Sequence, residues 1–174
     1  MKKQVLFTVF SFLFAASVMA QDGFHTIGVG AEVALPMGDF SDAYNIGFGA
    51  TGKVFYGLND NADITGTLGY LRFGMEETQY VNGHVSMIPI MFGYRHDFGG
   101  FYAEPQLGVV AVSSKVDSVD FGFGGFGGGT YSETKFSLSL GGGYAMGDWD
   151  FGLRFQLVDN LNFLGLRVGY NFSI

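Results

Sequence analysis

The sequence ends in Leu164-Gly165-Leu166-Arg167-Val168-Gly169-Tyr170-Asn171-Phe172-Ser173-Ile174. The even positions (Leu164, Leu166, Val168, Tyr170, Phe172, Ile174) are apolar or aromatic, and the odd ones (Gly165, Arg167, Gly169, Asn171, Ser173) are small, polar or charged. Period two is the signature of a β-strand with one greasy and one wet face. The run covers about eleven residues, which is what a tilted strand needs to cross a bilayer. If the rest of the chain repeats the pattern, the fold follows.

It does repeat, beginning after residue 20. Residues 1–20 read as a secretory signal peptide: Lys2 and Lys3 lead an apolar run from Val5 to Val18, and Ala-Ser-Val-Met-Ala at 16–20 offers small residues before a cleavage point at Gln21. Residues 21–174 then form one domain. The full chain carries nine Lys+Arg and sixteen Asp+Glu, and loss of the two leader lysines leaves seven against sixteen, a net charge of −9. That balance argues against a nucleic-acid partner. With no cysteine there is no disulfide, no thiolate metal site and no lipid anchor on sulfur. Glycine is abundant (29) and aromatics reach 17 %, while no later apolar run is long enough for a membrane helix.

Alternation predicts seven further strands, over 27–35, 45–56, 62–73, 84–96, 101–112, 132–145 and 149–157. The pattern blurs at Leu71-Arg72-Phe73, read as the point where the third strand leaves the membrane. Pro89 predicts a bulge in the fourth, because proline cannot donate to a ladder. The connections alternate in length: 36–44, 75–83, 113–131 and 158–162 against 57–61, 97–100 and 146–148. Outer-membrane barrels show this asymmetry, with short periplasmic turns and longer outer loops.

Strands cross lipid only as a closed barrel, because every backbone group must be paired. A charge on the lipid face near the midplane costs about 2–4 kcal/mol. Parity therefore has to turn every strand charge inward. Lys53, Arg95, Lys135, Arg154 and Arg167 fall inward, as do Glu32, Asp63, Glu104 and Asp150, with Arg72 the single exception. The outward aromatics Tyr56, Tyr94, Phe101, Tyr144, Trp149 and Phe172 cluster beside the short turns, as a periplasmic aromatic girdle should. A soluble lipocalin-like barrel also closes eight strands, and alternation by itself does not separate the two. The girdle, the loop asymmetry and the terminal strand favour the membrane.

The whole of 21–174 resembles the small outer-membrane β-barrels of the OmpA transmembrane domain and OmpX-like superfamily. The resemblance rests on the signal peptide, on Leu35-Pro36-Met37-Gly38-Asp39-Phe40 and on the Gly-Tyr-Asn-Phe-Ser-Ile end. It implies an all-β, eight-stranded, antiparallel up-and-down transmembrane barrel in the bacterial outer membrane. It also implies a monomer inserted by the barrel assembly machinery, in contact with outer-membrane lipid and lipopolysaccharide. The superfamily includes adhesins, structural proteins, narrow pores and a few lipid A-modifying enzymes, so the fold leaves function open.

An eight-stranded barrel has interior room only for side chains. The inward charges nearly cancel, which predicts a polar network of Glu32, Lys53, Arg95, Glu104, Lys135, Asp150, Arg154 and Arg167. Within it Arg95 and Glu104, flanking one hairpin, are the expected pair. The inward glycines Gly28, Gly30, Gly47, Gly49, Gly108, Gly141 and Gly143 could leave gaps for water, so a narrow pore is the alternative. A lipid A-modifying enzyme would need His84, Ser86 and Glu76 or Glu77 as base, hydroxyl and acid, with no oxyanion donor to complete them. The Gly/Phe run at 121–129 lacks the lysine and the strand–helix context of a phosphate loop. Its Phe121, Phe123 and Phe126 are possible contacts for an unknown extracellular partner. The loop acids Asp39, Asp42, Glu76, Glu77, Asp117, Asp120 and Asp159 could reach lipopolysaccharide through divalent cations. No cofactor, metal site or catalytic residue is assigned. The reading is a non-enzymatic barrel with a structural or surface-interaction role.

Overall fold

The computed structural model describes residues 23–75, 83–116 and 129–174. The proposed leader (1–20), Glu76, Glu77, Asp117, Asp120 and the phenylalanines 121, 123 and 126 lie outside the described residues. Eight strands follow in order: β1 Phe24–Pro36, β2 Tyr44–Asn59, β3 Ala62–Met75, β4 Gly83–Asp97, β5 Phe101–Val116, β6 Gly129–Met146, β7 Trp149–Val158 and β8 Phe163–Ser173. Each pairs antiparallel with the next, and β8 pairs with β1 to close the ring. The short connections 60–61, 98–100 and 147–148 share one end with the beginning and end of the sheet, and the other four connections share the opposite end.

The register fixes the shape. Following paired residues around the ring leads from Thr26 through Phe55, Thr65, Gly93, Gln106, Ser139, Gln156 and Phe163 to Pro36, ten residues along β1 from the start. A stagger of that size tilts the strands by about 35–45° and leaves a lumen that side chains can fill.

The expected parity holds throughout. Phe48 and Phe92 are 63 % exposed on the outer wall and Leu140 is 68 % exposed, whereas Lys53, Arg95, Glu104, Asp150 and Arg167 are buried inside. In water such an apolar wall would be a liability; here it is the lipid-facing surface of a transmembrane barrel. Replacing Leu166, which sits mid-strand between Val33 and Leu153, by arginine should therefore cost about 2–4 kcal/mol. The urea midpoint of refolding into lipid vesicles measures that loss.

Three local expectations are corrected. First, Pro89 makes no bulge, since β4 keeps one register with both neighbours on either side of it. The ring points inward, and the facing position on β3 is Gly69, where an added Cβ would lie 3.0 Å from the proline Cγ. The missing side chain makes room for the ring. Second, 113–116 and 129–131 are strand rather than loop. Ser113, Ser114, Lys115 and Thr130 put polar residues on both faces, which marks departure from lipid and not the end of the ladder. Third, alternation does not break at Leu71-Arg72-Phe73: Leu71 and Phe73 are fully buried inside and Arg72 points out. The apolar inward residues belong to a second tier of the interior.

Candidate functional site

Two tiers fill the lumen. Toward the short-turn end lies a charged tier built by residues that reach across the barrel. Asp150 on β7 accepts from Arg95 Nη1 on β4 at 2.6 Å, from Arg167 Nη1 on β8 at 2.8 Å and from the Tyr102 hydroxyl at 3.0 Å. Glu104 on β5 accepts from Lys53 Nζ on β2 at 2.7 and 2.9 Å, from the Thr65 hydroxyl at 2.7 Å and from Gln106 Nε2 at 2.7 Å. Arg154 grips Glu32 with two bonds, Nε at 2.9 Å and Nη2 at 3.1 Å. Arg167 also donates to the Thr51 hydroxyl at 2.8 Å. Carboxylates this deeply buried persist only because each accepts several charge-assisted bonds.

The expected Arg95–Glu104 pair does not form. Arg95 lies flat over the Tyr102 ring, its Cζ 3.5 Å from the centroid, and is aimed at Asp150. Glu104 is taken by Lys53. In so narrow a barrel long side chains meet partners two or three strands away as easily as their cross-strand neighbours. Lys135 is also misplaced by the sequence reading. It sits at the long-loop rim with Glu133 at 3.1 Å and Asp159 at 3.6 Å, outside the network. Asp63 marks the opposite rim, bound to His25 at 2.8 Å.

The second tier is apolar and closes the long-loop end. Phe40, carried by a single 3-10 turn at Gly38–Phe40, is buried with its ring 4.9 Å from Phe73. Phe73 in turn lies 5.7 Å from Phe163. Leu71, Val85, Met87, Val110, Val112, Val158 and Ala34 complete the cluster. Arg154 links the tiers, its Cζ 5.7 Å from the Phe163 centroid. Sequence reasoning missed this tier, although the uninterrupted parity of Leu71 and Phe73 carried the signal.

The inward glycines leave little space. An added Cβ at Gly47 would meet the Phe73 ring at 2.5 Å, and one at Gly30 would meet Arg167 Nε at 2.8 Å. Gly47 and Gly30 are seats for large neighbours, whereas at Gly49, Gly108 and Gly143 an added Cβ would first meet a backbone carbonyl of the adjoining strand. A void of about 30 Å³ remains beside Glu104, Gln106, Arg154 and Arg167, enough for about two waters.

On the outer wall all six expected girdle aromatics are exposed beside the short turns or the last residue. Phe101 packs on Tyr144 at 4.8 Å, Trp149 on Tyr170 at 5.4 Å, and Tyr170 on Phe172 at 4.9 Å. Ser86 is bonded to the Tyr70 hydroxyl at 3.1 Å, and among the described residues no bond joins it to His84. Arg72, His84 and Lys115 face outward near the long-loop rim, and Gly74, His84, Lys115 and Thr130 follow one another across the sheet. Among the described residues no group of His, Asp and Glu could hold a metal ion.

Neither a family model nor a curated protein matches the chain. Solved structures do. The crystal structure of Ail, the attachment invasion locus protein of Yersinia pestis, is 18 % identical with a TM-score of 0.63, over 87 % of this chain and 100 % of that one. Ail in complex with the heparin analogue sucrose octasulfate gives 16 % identity and a TM-score of 0.61 over the same shares. The backbone structure of Ail in a phospholipid bilayer nanodisc gives 18 % and 0.54, again over 87 % and 100 %. At these identities the likeness establishes a shared fold, the small eight-stranded outer-membrane barrel.

Proposed function

We propose, for a chain with the fold of the small outer-membrane barrels, a non-catalytic envelope protein that presents its long-loop end to the cell exterior as a contact surface. Export would use the leader at 1–20, with 21–174 as the mature barrel. The observation that carries this reading is the filled lumen. A cross-linked charged tier and an aromatic plug lie in series, so the interior is committed to holding the barrel together. What remains free to act is the rim and its loops.

The partner is extracellular. Ail takes a heparin analogue, but the described loop acids Asp39, Asp42 and Asp159 are exposed here, and a polyanion is a poor match for them. Lipopolysaccharide phosphates have a better counterpart in Arg72, His84 and Lys115, outward at the rim. The girdle of Tyr56, Tyr94, Phe101, Tyr144, Trp149 and Phe172 would set the barrel's depth at the periplasmic interface.

Two measurements on the detergent-purified protein test the reading. A heat-dependent shift between boiled and unboiled samples on a gel, with no discrete conductance steps in a planar bilayer, is the expected result. Reproducible single-channel steps would replace it with the narrow-pore reading.

A further inference from the structure

The charged tier does not balance. Lys135 and Asp63 stand at opposite rims with partners of their own. That leaves Lys53, Arg95, Arg154 and Arg167 inside against Glu32, Glu104 and Asp150. Lys53 holds Glu104 and Arg154 holds Glu32, one cation to one carboxylate, but Arg95 and Arg167 share Asp150. Among the described residues one positive charge is therefore left over, in a narrow interior where an unpaired charge is costly.

The surplus has a location. Arg167 is 7 % exposed. It gives Nη1 to Asp150 and Nε to the Thr51 hydroxyl, and its enclosed Nη2 has no acceptor. The guanidinium lies on Gly169, where an added Cβ would stand 2.6 Å from Nη2. A Cβ on Gly28 would be 3.4 Å from the same nitrogen, 2.5 Å from Asn171 Oδ1 and 3.5 Å from Phe55 Cε2. Asn171 Oδ1 is also enclosed and without a partner. Among the described residues no side-chain bond fixes which end of that amide points inward, so a half-turn presents Nδ2 to the same spot. Two N–H donors and the electropositive edge of a phenyl ring then face one point bared by two glycines. Lys53 and Arg95 lie over the Phe55 ring, 5.8 and 5.3 Å from its centroid, which strengthens the positive edge.

We infer that this cradle of Arg167, Asn171, Phe55, Gly28 and Gly169 binds one small monovalent anion, a halide such as chloride, as a fixed part of the charged tier. One negative charge cancels the surplus. Sulfate or phosphate brings further charge and more acceptor oxygens than two donors satisfy. A water would bridge Nη2 and Asn171 but leave the charge in place. The rings of Phe40, Phe73 and Phe163 close the far end of the lumen. The ion therefore enters from the short-turn mouth, where β8 ends at Ser173, just beyond Asn171, and its binding does not make the barrel a channel.

The test uses the full-length protein in phospholipid vesicles, with sodium chloride exchanged for sodium gluconate at constant ionic strength. Gluconate is too large for the cradle. The folded-to-unfolded ratio from urea curves should rise with chloride and, well above the dissociation constant, gain about tenfold for each tenfold increase. Crystals grown in sodium bromide should show an anomalous peak beside Arg167 Nη2. Asn171→Asp supplies the missing charge from the chain itself. It should abolish the chloride response while folding at least as well as the parent protein does in gluconate. A parent protein indifferent to chloride would overturn the inference and leave water at the spot. An undiminished response in Asn171→Asp, or bromide confined to the protein surface, would overturn it as well, because the stabilising ion would then bind elsewhere.

Discussion

Asp150→Ala lowers the stability of the folded barrel by about 3–5 kcal/mol, the cost of stranding buried charge by removing its partner. Asp150 is completely buried and receives three donors, two of them guanidinium groups from β4 and β8. Alanine leaves Arg95 and Arg167 facing each other across the lumen with no anion between them. Arg95 keeps only its place on the Tyr102 ring, and Arg167 keeps the Thr51 hydroxyl. Asp150→Asn preserves an acceptor and should lose less. Asp148→Ala, two residues away in an exposed turn, gives up one bond to the Tyr170 hydroxyl and should change stability by no more than about 0.5 kcal/mol. The comparison is read from urea midpoints of the three variants in lipid vesicles. Equal midpoints for Asp150→Ala and Asp148→Ala would mean that the charged tier is ornamental.

The same residue shows where reading a barrel from sequence reaches its limit. Each strand position faces either lipid or lumen, so one alternating pattern decides burial, parity and strand count together. Leu166 out and Arg167 in is legible from two letters. Which carboxylate Arg167 meets depends on strand stagger and on side chains arriving from the far wall. Arg95 and Glu104 come from facing positions of one hairpin, yet each finds its partner three strands away, on β7 and β2. Pro89 departs from the sequence expectation for the same reason: its accommodation depends on Gly69 on the neighbouring strand. The full length of β6 is not legible in the sequence, because polarity on both faces resembles a loop and only the ladder with β5 distinguishes the two.

Phe73→Ala tests the other tier and should cost about 3–5 kcal/mol, the range for deleting a buried phenylalanine. Phe73 has no exposed surface and stands between Phe40 and Phe163, so alanine opens a cavity that neither ring can fill without leaving its own contacts. Phe48→Ala is the control: that ring is 63 % exposed on the lipid face, loses mainly contact with acyl chains, and should cost far less. If the two substitutions cost the same, the aromatic cluster is a surface feature and not a plug. Conductance then separates the tiers. Phe73→Ala removes the centre of the upper seal but touches none of the bonds made by Asp150, Glu104 and Glu32, so the variant barrel should stay silent in a planar bilayer. Discrete steps from Phe73→Ala alone would show that the charged tier passes ions and that the aromatic tier is the gate. The free surface of the protein would then include its lumen, and the pore reading would have to be restored.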